Sequence, residues 1–478
     1  VLEEEIYDAH RDDNSKEIGF FMLERPQNSS TKNVVILVDS KTRDLDVASL
    51  IAYHLRALGI ECHLEPLEAF RAVIAAYRPA LIIFNHLTAS HLAAWSRRLA
   101  EMGVLTAVLP NEGIIYDPET LKFAAGRYHS GAHIDYFFCW NDAHAAALKA
   151  QDFNNAINVE VVGVPRFDFY FKPWSSIYER PSLKISSRPK VLFCTNFTTA
   201  QFKELPRVEA DKFFAPWASR ISAYKDYWPA IEAHWRSRAR SLDYLKALIS
   251  SRKFDITLRP HPGEDHAFYT AWLDTLPAAD RAEIEFDTNG SISRLILDCD
   301  LEISCETCTT ALESWIAGKK TIELIFERHP LWYREIQAKA NVDCSNPINL
   351  PELVSRTLSQ RIPADLREMR RDHLKKWCSS PDGMSALKIA KILENAIRNQ
   401  KSPDWSKLSA NDYRRAVKLR VTRQFGLAYH FDPLLFLKRT IWPKQYVVKD
   451  YVYRKSIKPR DVHAARRKLE LLDRSKES

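Results

Sequence analysis

Apolar runs that end in polar residues, each followed by a stretch of helical spacing, set the layout of this chain. Asn33-Val-Val-Ile-Leu-Val38 is such a run. A strand apolar on both faces marks a buried parallel sheet. It ends in Asp39-Ser-Lys-Thr-Arg-Asp44, and Val47 to Leu58 then carries apolar residues at helical spacing, with Gly59 as the stop. The unit recurs as strand 60–64, helix 70–77, strand 81–84 leading to Asn85 and His86, helix 89–102, and strand 105–109 leading to Pro110-Asn-Glu-Gly113. Strands at 136–140 and 158–162 follow. Alternation at this spacing predicts a doubly wound α/β domain over residues 33–170.

The alternation breaks over residues 171–189, rich in Pro, Ser and aromatics, which read as a linker. A second α/β domain is expected over 190–400. Its strands are 190–194, 254–258, 282–286, 301–304 and 321–324, with helices at 291–298 and through 351–398. Residues 200–250 read as a helical insertion that would cover a site. Residues 1–32 read as a polar tail with a short strand at 18–23, and residues 401–478 as a basic, aromatic, helical tail.

With 478 residues, 46% hydrophobic and 27% charged, the chain has the size and balance of a soluble protein of two domains. No apolar run reaches membrane-spanning length. The first residues, Val1-Leu-Glu-Glu-Glu-Ile6, lack a signal peptide's pattern, so the expected place is the cytoplasm. The 8 Cys are scattered and sit mostly in apolar strands, which reads as reduced, buried thiols. Cys305 and Cys308 form a C-x-x-C without a second pair, so small residues near a helix start are favoured over a zinc site.

Ligands of open α/β sheets bind beyond the carboxyl ends of the strands. Two loops there carry suitable chemistry. Arg259-Pro-His261-Pro-Gly-Glu264 offers two basic groups on a backbone fixed by prolines. Thr307, Thr309 and Thr310 place hydroxyls at a helix start, where free N–H groups and the dipole favour an anion. Together they predict a phosphate-bearing ligand, a nucleotide.

The ordered motifs also carry a resemblance. Pro110-Asn-Glu-Gly113, Trp140-Asn141, Gly163-Val-Pro-Arg-Phe-Asp168, Cys194-Thr-Asn-Phe197 and Arg259-Pro-His-Pro262 resemble, in order and spacing, the surface carbohydrate biosynthesis protein family. They are also similar to bacterial His-Pro-motif enzymes that use cytidine-linked donors, among them the capsule and lipopolysaccharide Kdo transferases. The resemblance covers residues 33–395. It implies a GT-B-like pair of Rossmann-like domains facing a cleft, and transfer of a Kdo-like sugar from a CMP- or CDP-linked donor to a glycan or lipid-linked acceptor. Relatives carry an Asp-Glu-Glu-Gly-like loop where this chain has Asn111-Glu112-Gly113.

By the resemblance His261 would contact the donor phosphate, an imidazole beside a dianion being held cationic. Arg259 would neutralise the same group. The alternative for His261 is a bond within the protein. Ser304, Thr307, Thr309 and Thr310 would bind phosphate oxygens, or serve as ordinary helix caps. Glu313 resembles the carboxylate that binds ribose hydroxyls, or is a solvent-facing helix residue. Glu112 is the candidate general base on an acceptor hydroxyl. Asp168, beside Arg166, is a second catalytic candidate, as a nucleophile in a retaining reaction, or simply Arg166's ion-pair partner. Arg166 itself is read as donor-binding. Lys41, Arg43 and Asp44 would receive a sugar carboxylate or form a surface pair worth little. Neither a metal nor another cofactor is implied, since hydroxyls and basic groups would stabilise the leaving phosphate.

The net charge of +8 is concentrated after residue 410. Basic residues there interleave with aromatics over residues 410–460. Expected uses are contact with an anionic membrane at its inner face, or packing on the second domain. Nucleic acid is set aside because no recognised module accompanies the tail. Competing readings are a CDP-glycerol or CDP-ribitol phosphotransferase, a sugar-nucleotide epimerase, and a non-catalytic partner docked on a membrane.

Overall fold

The structure, a computed structural model, describes residues 32–128, 131–153, 155–178, 187–441 and 456–477. The strand expected at 18–23, residues 179–186 of the linker and the run 442–455 lie outside the described residues.

Two six-stranded sheets, every pairing parallel, carry the chain. The first holds β1 (Asn33–Val38), β2 (Glu61–Pro66), β3 (Leu81–Phe84), β4 (Leu105–Val108), β5 (Tyr136–Cys139) and β6 (Asn158–Val161), in the order β2-β1-β3-β4-β5-β6. The second holds β7 (Lys190–Cys194), β8 (Asp255–Arg259), β9 (Ile284–Phe286), β10 (Leu301–Cys305), β11 (Lys320–Leu324) and β12 (Val342–Asp343), in the order β12-β11-β10-β7-β8-β9. The two Rossmann-like lobes expected from the sequence are present. The two-residue β12 has no sequence counterpart, being too short to show a pattern.

The unbroken apolar run of β1 has a direct cause. Val34, Ile36 and Val38 face one buried cluster, while Val35 and Leu37 face another. Its partners end nearly level with it: Ile36 lies opposite Ile83 and Phe84 opposite Val108. The loops starting at Asp39, Asn85 and Leu109 therefore leave the sheet side by side.

In the first lobe α1 (Leu45–Ala57) follows β1. In the second, α2 (Trp228–Ser251) crosses from β7 to β8, α3 (Ile292–Asp298) leads to β10, and α4 (Thr309–Ile316) leaves it. Next comes α5 (Ala364–Cys378), and Ser379 and Ser380 turn the chain in left-handed conformations, φ 54° and 50°. Then α6 (Ser385–Asn399) packs Ile389, Ala390, Leu393 and Ile397 into the first lobe's core.

The following elements stay on that lobe. From α7 (Ala410–Gln424), Ala416 and Leu419 enter its second cluster; α8 (Pro433–Ile441) follows; from α9 (Pro459–Glu477), Val462, Ala465 and Leu469 join α1 and α6. Buried Asp412 is bound by Arg98 at 2.5 Å, and Arg423 reaches Glu65. The expected boundary at 400 is therefore corrected to the crossing at 379–385, and the tail packs on the first lobe rather than the second. An apolar helix face shows that something covers it, not which lobe does.

Candidate functional site

The order β2-β1-β3 makes the β1–β3 edge a switch point, where connections diverge and leave a crevice. A hollow of ≈ 550 Å³, open to solvent, lies there, lined among others by Arg43, Asp44, Asn85, Asn111, Trp140 and Arg166. Arg43 Nε donates to Asp44 Oδ1 at 2.7 Å. With its amide turned to suit its neighbours, Asn111 accepts from Arg43 at 2.6 Å and from Asn85 at 3.1 Å, and donates to Asp44 at 3.3 Å. Burial pushes the Asp44 carboxyl up, against the pull of Arg43. Three buried polar atoms of lining residues have no protein partner: Asn85 Oδ1, Trp140 Nε1 and Arg166 Nε. Unsatisfied buried polar atoms are scarce in folded proteins and call for an explanation where they cluster.

Glu112 is exposed in the loop after β4, and its charge is felt by Arg43, Arg166 and Glu313. Gly113 is required by close packing. A Cβ there would lie 2.6 Å from the Trp140 ring. The loop is fastened by Asn141 Nδ2, which donates to the Gly113 carbonyl at 2.9 Å and to the Trp377 carbonyl of α5 at 3.0 Å.

Loops from this edge meet the second lobe. Arg166 lies over the Trp140 and Phe167 rings and pairs with Glu313 of α4 at 3.5 Å. The Tyr170 hydroxyl donates to the same carboxylate. Burial raises the Glu313 carboxyl, opposed by Arg166 and the tyrosine. Glu313 is thus not the solvent-facing residue that the sequence left open; it sits in the joint between lobes. Tyr116 adds a second tie, with His373 Nε2 at 2.9 Å.

Asp168 stands apart. It is 1% exposed, and its oxygens accept the backbone N–H of Ser385 at 3.1 Å and Ala386 at 2.7 Å, at the start of α6. Burial pushes it up to about 6 against those two bonds. The nucleophile expectation is corrected accordingly: this carboxylate holds α6 to the first lobe. The ion-pair alternative falls too, because Arg166 turns to Glu313 instead.

In the second lobe the order β10-β7-β8 gives another switch point. Here Glu264, buried, accepts from Thr195 at 2.7 Å, Tyr269 at 2.5 Å and the His261 backbone N–H at 3.1 Å. The carboxylate, as much as the prolines, fixes the His-Pro loop. His261 is half-buried, and its Nδ1 accepts from the Gly263 backbone at 3.0 Å, which puts the proton of the neutral ring on Nε2. Arg259 donates to Asp287 Oδ1 at 3.0 Å, a carboxylate that Arg294 shares at 2.9 Å, so two cations face one anion.

The hydroxyl set divides. Thr307 gives its hydroxyl to the Trp332 carbonyl and its backbone N–H to Glu323 at 2.9 Å. Thr310 bonds Glu302 at 2.8 Å. Ser304 is wholly buried. Thr307 and Thr310 are thus bonded within the lobe, the buried Ser304 hydroxyl has no partner, and Thr309, half-buried at the first position of α4, has none among the described residues. Beneath them burial pushes Glu302 up to about 8 and Glu306 up to about 7. Cys305 and Cys308 are buried free thiols raised by the same cause, to about 12 for Cys308. Among the described residues no His, Cys, Asp and Glu cluster could hold a metal ion.

Sequence reasoning missed Asn85, Tyr116 and Glu264. Asn85 carried a signal, a polar residue directly after a buried strand; Tyr116 and Glu264 carried none, since their partners are set by the fold.

No family model and no curated protein matches the chain. Solved structures do resemble it. The wall teichoic acid polymerase TagF matches at 13% identity and TM-score 0.48, over 77% of this chain and 89% of that one. A UDP-N-acetylglucosamine 2-epimerase matches at 11% and 0.47, over 78% and 98%. A glycosyltransferase from Rickettsia africae matches at 12% and 0.41, over 78% and 100%. At such identities the likeness is one of chain path and is silent on substrate.

Proposed function

We propose that this chain is a nucleotide-sugar-dependent glycosyltransferase of bacterial surface polysaccharide synthesis. The observation that carries the reading is the hollow at the β1–β3 switch point, with unpartnered polar atoms in its lining residues and Glu112 exposed in the β4 loop beside it. Its lining sets Arg43, Asp44, Asn85, Asn111 and Arg166 among apolar side chains, a mixture that suits a sugar, whose hydroxyls both donate and accept. In this reading the first lobe holds the acceptor. The second holds the nucleotide between the His261 loop and the Thr309 end of α4, where the helix dipole favours phosphate. Glu112 takes the proton of the acceptor hydroxyl, whose oxygen bonds the anomeric carbon as the bond to the nucleotide phosphate breaks and the phosphate leaves with the electron pair. A cytidine-linked, Kdo-like donor rests on the resemblance of Arg259-Pro-His-Pro262 and nothing else.

Thermal-shift titration of the full chain with CMP, CDP, UDP and GDP tests the reading. A raised melting temperature with a cytidine nucleotide is expected, and no shift with any of the four would overturn it. Glu112→Ala should leave that shift intact and abolish transfer; an active variant would remove the general-base assignment.

A further inference from the structure

The second face of α7 has no role in any of this. Asp412, Ala416, Leu419 and Thr422 turn inward onto the first lobe. On the opposite side Tyr413, Val417, Val421 and Phe425 follow at four-residue steps, 45%, 58%, 46% and 70% exposed. Four residues is just over one helical turn, so they form one stripe. Exposed Arg414 and Lys418 flank it on one side and Arg420 on the other. The stripe continues in sequence into α8, where Leu434, Phe436, Leu437 and Ile441 are all more than half exposed and Lys438 is exposed beside them.

We propose that this face of α7, continued by α8, seats the protein on an anionic phospholipid surface. An apolar stripe between two rows of cations matches a bilayer interface, where apolar side chains reach the acyl boundary and long basic ones keep their charge among the headgroups. Charge selects this occupant. Over the described positions from Tyr413 to Ile441 the exposed charged side chains are Arg414, Lys418, Arg420 and Lys438 against Asp432 alone. A second copy would bring two cationic faces together, which costs free energy. Among the described residues no helix is long and apolar enough to cross a membrane, so contact would be peripheral. The inference is independent of the sugar chemistry.

Cosedimentation of the full chain with vesicles tests it, using phosphatidylcholine alone and phosphatidylcholine with about one-third phosphatidylglycerol. Binding is expected only to the anionic vesicles and should weaken with salt. Val417→Asp with Val421→Asp should abolish it. Arg414→Glu with Lys418→Glu should lower it by roughly fivefold or more per residue reversed. All four positions are exposed, and circular dichroism will show whether each variant folds. No binding, equal binding to neutral vesicles, or anionic binding untouched by both pairs would overturn the proposal. So would a dimer in solution that the valine pair dissolves.

Discussion

At the β1–β3 switch point the loops of the first lobe stand around a hollow open to solvent; at the β7–β10 switch point the loops of the second lobe are braced by buried carboxylates. Both are parallel sheets of six strands with the same kind of edge. The difference lies in which side chains sit there. The first lobe puts Asn85, Asn111 and Arg43 at its edge, short amides and one arginine that bind each other sideways. The second puts Glu264 and Glu306 there, buried carboxylates that accept from backbone N–H groups of their own lobe. A shared topology thus offers two crevices with different linings, amides and arginines in the first and buried carboxylates behind the half-buried His261 and Thr309 in the second.

The comparison can be pressed at four points. The largest effect is expected at the joint. Arg166→Ala strips the buried Glu313 of its cation, and leaving one partner of a buried pair costs on the order of 3 kcal/mol; urea unfolding should show it, and a change below about 1 kcal/mol would make the joint incidental.

The buried acids of the second lobe come next. Glu302 and Glu306 are raised to about 8 and about 7, well above their unfolded values. The native state therefore holds protons that the unfolded chain releases. The stability this gives is complete below the unfolded carboxyl range, and is lost as pH rises through 7 and 8. Glu302→Gln with Glu306→Gln should flatten that decline and leave the variant more stable than the parent at pH 9, by on the order of a few kcal/mol. Equal slopes of unfolding free energy against pH would contradict this.

Smaller still is the effect at the first edge. Gly113→Ala drives a methyl against Trp140, an overpacking worth about 1–3 kcal/mol, and should reduce transfer more than nucleotide binding. Smallest for stability is Thr309→Ala, expected within about 0.5 kcal/mol, yet it should weaken nucleotide binding in the same thermal-shift titration.

The sheets were legible because burial on both faces writes itself as an unbroken apolar run, as in Val34 to Val38. The edge loops were legible as polar residues directly after such runs, which is how Arg43, Glu112 and His261 came forward. The partners of the carboxylates were not. Asp168 meets Ala386 across 218 positions, and Tyr170 meets Glu313 across 143. No local pattern encodes a bond at that range. The same holds for α6, whose apolar face was visible while the lobe it covers was not. Thr307 and Thr310 looked like phosphate ligands because a hydroxyl near a helix start has two uses, and only packing shows which one it takes.

The account's central claim is a division of labour, nucleotide in the second lobe and sugar in the first. Hydrogen–deuterium exchange of the full chain with and without the nucleotide that raises its melting temperature tests it most directly. The account predicts slowed exchange in residues 195–198, 260–264 and 306–310, with residues 39–44, 85–86 and 110–113 unchanged. Protection confined to the first-lobe loops would contradict it.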